Sequence, residues 1–158
     1  MRIKNKLKLK GFVKITTFDE ATGVRKVVYD GPNLIVNGGV SLVGHLLTQA
    51  TQTPSDNRIT VIRFGTSNTS PVATQTDIVG TLIGDTSISA WTNDVGAVAG
   101  LIAFQSTLGT GVGNGTTIRE VALVSTGNTM LARQITPDIA KTVSISVTVD
   151  WRIQFSLT

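Results

Sequence analysis

The sequence predicts a mainly β fold, an antiparallel β-sandwich or jelly-roll-like domain with one short α-helix at about residues 38–50. Two observations support this prediction. From residue 143 to residue 157 every odd position is apolar and every even position is polar, which is the period of a half-buried strand. Shorter alternating segments, separated by turns rich in Gly, Asn, Pro and Ser, recur along the rest of the chain.

The first third of the chain predicts a hairpin followed by the helix. Residues 12–18 and 24–29 are expected to pair across a turn at 19–23, and Asp30-Gly31-Pro32-Asn33 is expected to end the second strand. Asn37 is the expected N-cap of the helix. One apolar stripe would face the core, formed by Val43, Leu46, Leu47 and Ala50.

Further strands are expected at 58–65, 86–92, 97–107, 117–125, 130–134 and 143–157, and residues 66–77 form a loop long enough to suggest a contact role. The last strand is longer than a usual strand of about five or six residues. We therefore expect it to bend across a sandwich or to project into a neighbouring subunit. Its small polar side chains are the predicted subunit contacts, namely Ser144, Ser146 and Thr148.

The basic charge of the chain is concentrated at its N-terminus, where the even positions carry Arg2, Lys4, Lys6, Lys8 and Lys10. We predict a basic arm or edge strand at residues 1–10 and a single β-sandwich domain at 11–158. The alternation fits an edge strand protected by lysines or an arm that binds an acidic partner. Direct nucleic-acid binding is the least favoured interpretation, because no aromatic residue is interleaved for base stacking.

The sequence carries no recognisable catalytic, cofactor or metal site. It has no cysteine and one histidine, His45, so thiolate zinc sites and most histidine clusters are excluded. The glycine-rich segment 109–115 precedes a β-type run rather than a helix, which argues against phosphate binding. No apolar stretch is long enough for a membrane span. Trp91 and Tyr29 are the candidate sugar-stacking platforms.

Glu120 is the carboxylate that calls for an explanation, because it lies between Ile118 and Ala122 on one predicted strand face. A carboxylate among apolar side chains must be paired or neutralised. We predict a structural ion pair of Glu120 with Arg133, the alternatives being Arg152 and Lys141.

Several segments together resemble a group of small virion proteins of tailed bacteriophages. They are Asn33-Leu34-Ile35-Val36-Asn37, Phe64-Gly65-Thr66, the run from Asn114 to Leu123, Leu131-Ala132-Arg133, Lys141-Thr142 and Trp151-Arg152-Ile153-Gln154-Phe155. Where such proteins often have Glu-Val-Gly-Leu, this chain has Ala122 in place of the glycine.

The resemblance implies a non-enzymatic virion structural protein that is assembled in the host bacterial cytoplasm. The chain has no repeat that could build a fibre shaft, which favours a capsid decoration (cement) protein that binds the major capsid protein and stabilises the head. A homo-oligomer, with a trimer favoured, is expected. The alternative is a tail-associated fibre, collar or baseplate component, or a receptor- or glycan-binding module.

Overall fold

The computed structural model describes residues 7–48, 57–93 and 100–157. Within these residues the chain forms strands and one helix in the following order: β1 Leu7–Asp19, β2 Val24–Ile35, α1 Asn37–Thr48, β3 Ile59–Gly65, β4 Leu82–Ser87, β5 Ala90–Asn93, β6 Leu101–Leu108, β7 Thr117–Ser125, β8 Met130–Ala140 and β9 Ile145–Leu157. No helix in this part of the chain is long and apolar enough to cross a membrane.

The nine strands form one antiparallel sheet in the order β4-β3-β7-β8-β2-β1-β9-β6-β5. Strand β2 joins the two halves of the sheet, since it pairs with β1 up to Asn33 and with β8 at Leu34 and Ile35. The mainly β antiparallel class with one short helix is confirmed. The sandwich or jelly-roll form stays a prediction, because the strands are hydrogen-bonded as one curled sheet.

The two ends of the sheet lie next to each other in the sequence. Strands β4 and β5 are separated only by Ile88 and Ser89. The Ile88 N–H donates to the Thr60 carbonyl, and the Ser89 N–H donates to the Gln105 carbonyl. Because β4 also packs against β6, the sheet curls until its ends meet. The single strand expected at 86–92 is therefore two strands at a corner.

The interior of the curled sheet is filled by alternate residues of its strands. On β9 the buried side chains are Val147, Val149, Trp151 and Ile153, as the alternation predicts. Val143 is an exception: its side chain is 76% exposed. It precedes β9, in a turn where the Ile145 N–H donates to the Thr142 carbonyl, so the prediction that it faces the core is wrong.

Strand β9 uses its whole length inside its own sheet. It pairs with β1 from Ile145 to Leu157 and with β6 along most of the same stretch. Its length is thus matched by β1, which is equally long. Within the described residues, the expected projection toward a neighbouring subunit is not needed to explain the strand.

Strand β2 continues through the segment that was expected to end it. Asp30, Gly31, Pro32 and Asn33 all pair with β1. Proline lacks an N–H, and it is tolerated where the strand has no partner on its other side. Pro32 meets this condition, because β2 reaches β8 only at Leu34 and Ile35.

Helix α1 starts close to its predicted position. The first helical acceptor is the Val36 carbonyl, which receives the Val40 N–H at 3.3 Å, so Val36 is the N-cap and the expected cap, Asn37, is the first residue of the helix. Leu42 is buried, Val43 is half-buried and His45 is exposed. The other residues of the predicted stripe lie outside the described side chains, namely Leu46, Leu47 and Ala50.

Candidate functional site: a buried ion pair and an exposed basic face

Glu120 and Arg133 lie on the neighbouring strands β7 and β8 and form an ion pair with no exposed side-chain surface on either residue. Arg133 Nε donates to Glu120 Oε2 at 2.8 Å. Arg133 Nη2 lies 2.6 Å from the same oxygen, as an ion-pair contact outside hydrogen-bond geometry. Of the three cations considered from the sequence, Arg133 is the partner of Glu120.

The ion pair holds residues 66–81, which we call the covering loop. Glu120 accepts hydrogen bonds from the backbone N–H groups of Ser67 at 3.0 Å, Val79 at 3.0 Å and Gly80 at 2.7 Å. Arg133 Nη1 donates to the Thr69 carbonyl at 2.9 Å. The loop expected to contact a partner therefore folds back onto its own sheet and is fastened there by buried charges.

Two opposing effects act on the pKa of Glu120. Burial raises the pKa, because a charged carboxylate loses hydration. The hydrogen bonds from Val79, Gly80, Arg133 and Ser67 stabilise the charged form and together outweigh burial, so the pKa of Glu120 lies below its ordinary value. The charged form of Glu120 is therefore the one that the surrounding donors stabilise.

A β-bulge decides which side chains surround Glu120. The register between β7 and β8 shifts between Ile118 and Glu120. Ile118 consequently packs in the main core, whereas Ala122 and Val124 belong to a second small core with Val36 and Met130. The expectation that Ile118 and Ala122 share the face of Glu120 is thus wrong for Ile118, because the regular alternation is interrupted where Ile118 pairs with Ile139 but Glu120 pairs with Ile135.

Arg63 on β3 is a second anchor of the covering loop that the sequence did not reveal. It donates to Asp77 at 2.8 Å and, through two nitrogens, to both oxygens of Asp85 at 2.9 Å. The hydrogen bond to Asp85 is the largest effect on the pKa of Arg63 and raises it further above its ordinary value. The only signal in the sequence was a cation on an otherwise apolar strand face.

Lys141 is buried, with 1% of its surface exposed, but it does not contact Glu120. Its Nζ donates to the carbonyls of Thr110 and Thr142 and to Asn114 Oδ1 at 3.1–3.3 Å. Burial lowers the pKa of Lys141, and the charge of Glu20 offsets this only in part. Lys141 therefore holds the glycine-rich connection 109–115, which leads into strand β7 as the sequence predicts.

The segments that carry the sequence resemblance meet in three places. Gly65 lies opposite Glu120 in the register between β3 and β7. Asn114 accepts from Lys141, as described above, and Trp151 Nε1 donates to Asn33 Oδ1 at 3.0 Å. The motif residues named here are thus internal contacts of the fold.

The outward side of β1 and β9 carries an exposed basic face, which we define as Lys8, Lys10, Phe12 and Arg152. Phe12 is 40% exposed and lies opposite Arg152 in the register of the two strands. Among the described residues, none of the three cations of this face forms an ion pair. Arg2, Lys4 and Lys6 of the predicted contact set lie outside the described residues.

The polar side chains predicted to contact another subunit are occupied within the chain. Thr148 Oγ1 lies 2.9 Å from Thr107 Oγ1, Ser146 Oγ donates to the Phe18 carbonyl at 3.5 Å, and Ser144 Oγ lies 3.2 Å from Thr142 Oγ1. All three are half-buried. Their contact with another subunit stays a prediction. Such a contact would compete with the hydrogen bonds that these side chains form within the chain.

The two candidate sugar platforms differ in exposure. Tyr29 is half-buried against the core, and its hydroxyl donates to the Pro32 carbonyl at 2.6 Å. Trp91 is 72% exposed. It lies at a cavity of about 380 Å³ whose apolar lining includes Ile102, Phe104, Ile153 and Phe155.

Comparison of the chain with protein-family models, with curated proteins and with solved structures finds no match. In the part of the chain that the structure describes, no group of three or more His, Asp or Glu side chains is placed to hold a metal ion.

Proposed function

We propose that the chain is a non-enzymatic structural protein of a bacteriophage virion, and that it decorates the assembled head by binding the major capsid protein. The observation that carries this proposal is the basic face. It is displayed on two paired strands, and its cations have no acidic partner among the described residues. Together with the sequence resemblance, it supports adhesion to an acidic protein surface.

A strand-borne basic face suits adhesion to a repeating surface. The backbones of β1 and β9 are fixed by pairing, so the spacing of the Cα atoms of Lys8, Lys10 and Arg152 is set before binding. The pairing free energy of each exposed cation is small, about 0–1 kcal/mol. An oligomer, as the resemblance implies, would make several such weak contacts at once. The binding should weaken as salt concentration rises.

The first experiment tests the basic face. Lys8→Gln together with Lys10→Gln should lower the affinity for undecorated particles about tenfold at physiological salt, and with it the occupancy at subsaturating protein, since two contacts of roughly 0.5–1 kcal/mol each are lost. Lys26→Gln with Arg58→Gln removes the same charge at exposed positions outside the basic face and should leave occupancy unchanged. Equal loss in both double variants would show that net charge, not this face, is responsible.

The second experiment tests the location. Antibodies against the recombinant chain, visualised by immunogold electron microscopy of purified virions, should label heads. Label confined to tails would overturn the decoration proposal in favour of a tail component. The absence of label on every intact particle would overturn the virion proposal itself.

The exposure of Trp91 favours one alternative, a glycan-binding module. Exposed tryptophan rings at a cavity commonly provide stacking surfaces for ligands. A glycan array probed with the full chain and with Trp91→Ala tests this alternative. Binding that is lost in Trp91→Ala would support it, and an array without signal would contradict it.

A further inference from the structure

One stretch of β1 has a partner strand on one side only. Leu7, Lys8, Leu9 and Lys10 pair with the C-terminal end of β9. On their other side β2 has already turned away, because its last pair with β1 is Gly11 with Asn33, and Leu34 and Ile35 pair with β8. Among the described residues no strand takes the place of β2 there.

The direction of the backbone groups follows from the hydrogen-bond alternation of antiparallel strands. The Phe155 N–H donates to the Gly100 carbonyl on the β6 side, so the odd residues of β9 face β6 and its even residues face β1. The register with β9 has no bulge and joins Lys8 to Ser156 and Lys10 to Gln154. The N–H and carbonyl groups of Leu7 and Leu9 therefore point to the side without a strand.

The side chains around this open edge are suited to a particular kind of partner. Lys8 and Lys10 are exposed on the outward face, and Leu7 is 53% exposed. An added strand would bring alternate side chains beside the two lysines. Acidic residues at those positions would form cross-strand ion pairs, whereas basic residues would be repelled.

We propose that the open edge of β1 at residues 7–10 binds an extended segment of a partner protein that has acidic side chains at alternate positions. Backbone pairing with Leu7 and Leu9 would provide part of the affinity, and Lys8 and Lys10 would provide selectivity. This inference depends on the proposed function only for the partner's identity as a virion protein.

A second copy of the chain does not fit this description. No two of its ten acidic residues are two positions apart in the sequence. Edge-to-edge pairing of two copies would also bring the basic ends of two β1 strands together, which is unfavourable. The occupant is therefore a chain of different sequence.

The test uses the full chain and a blocked ten-residue peptide in which Glu alternates with Val. In the antiparallel register that places Glu opposite Lys8 and Lys10, the valine N–H groups face Leu7 and Leu9. N-methylation of the valines should therefore weaken binding about tenfold or more, whereas N-methylation of the glutamates should not. Binding is measured by fluorescence anisotropy at low and high salt.

Two variants of the protein provide the matching comparison. Leu9→Pro removes the N–H on the open edge, at a position where proline is compatible with an edge strand, and should weaken the peptide about tenfold. Leu9→Thr keeps the N–H and should bind normally. Equal binding of the two N-methylated peptides would overturn the proposal even if Leu9→Pro failed to fold.

The outcomes also separate this inference from the proposed function. If Lys8→Gln with Lys10→Gln reduces decoration of particles but the N-methylated peptides bind alike, strand addition is wrong and the basic face still acts by charge. If only Leu9→Pro, and not Leu9→Thr, changes the oligomeric state in sedimentation, the occupant is a second copy and the acidic-partner proposal is overturned.

Discussion

At the scale of single residues, the fold depends on charged side chains that are buried. Glu120 accepts hydrogen bonds from three backbone N–H groups and from the guanidinium of Arg133. Its negative charge is therefore balanced by the positive charge of Arg133 and by the dipoles of the N–H groups. A buried pair of this kind adds little net stability compared with apolar side chains, but removing one member leaves the other charge without compensation.

Glu120→Gln should destabilise the protein strongly. The amide keeps the size of the carboxylate but places an NH₂ group against N–H donors and leaves Arg133 buried without a counter-charge. The expected loss is about 3–5 kcal/mol in the free energy of unfolding, measured by urea denaturation. The control is Arg119→Gln, one residue earlier on the strand, where the ion pair with Asp138 is partly exposed and a much smaller effect is expected.

The pH profile of the same variant provides a second readout. Because the pKa of Glu120 is lowered in the folded state, its contribution is complete above the unfolded pKa of about 4.3 and is lost as pH falls through the folded value. The stability of Glu120→Gln should therefore fall less between about pH 5 and pH 3 than that of the wild type. Parallel profiles, or a loss under about 1 kcal/mol at neutral pH, would contradict this assignment.

At the scale of elements, the covering loop is a long polar segment whose position is fixed by its hydrogen bonds to the Glu120–Arg133 ion pair. Glu120 needs space next to β3 and the loop, and glycines provide it. A Cβ on Gly65 would lie 2.6 Å from Glu120 Oε1, and one on Gly80 would lie 2.9 Å from the same atom. Glycine in Phe64-Gly65-Thr66 is thus required by the ion pair across the strand.

Gly65→Ala should displace Glu120 and cost about 1–3 kcal/mol in unfolding free energy, as overpacking of a buried site does. Gly109→Ala is the control, because a Cβ there meets nothing within 4 Å. Thermal or urea unfolding of both variants checks the prediction. Equal stabilities would mean that the loop and Glu120 can move apart without cost.

At the scale of the whole molecule, the corner between β4 and β5 closes the sheet. Ser106 on β6 is 1% exposed. Its hydroxyl lies 2.7 Å from both Thr86 Oγ1 and the Ser87 carbonyl, so it joins the strand at one end of the sheet to the strand beside the other end. This contact links parts of the sheet that are far apart in strand order.

Ser106→Ala should lower the free energy of unfolding by about 1–3 kcal/mol, because the two hydrogen bonds of the buried Ser106 hydroxyl are lost. Thr107→Ala is the matched control, since its hydroxyl meets Thr148 on the exposed outer side and a smaller loss is expected. If the two variants unfold alike in urea, Ser106 does not contribute to closing the sheet.

The sequence by itself determined the features that depend on the local period of the backbone. The alternation of β9 predicts that Val147, Val149, Trp151 and Ile153 are buried, because neighbouring side chains of a strand must point to opposite faces. The strand predicted at 117–125 coincides with β7, Thr117–Ser125. That Glu120 needs a cation also follows locally, from a carboxylate on a strand with apolar neighbours.

Only the tertiary structure decided which distant residues meet. Arg133, Arg152 and Lys141 were all chemically adequate partners for Glu120, and the strand order placed Arg133 beside it while leading Lys141 to the loop at 109–115. The bulge after Ile118, the passage of β2 through Pro32 and the open edge at Leu7–Lys10 have the same origin. Each depends on which strand lies alongside, and pairing between segments far apart in the chain leaves no period in the sequence.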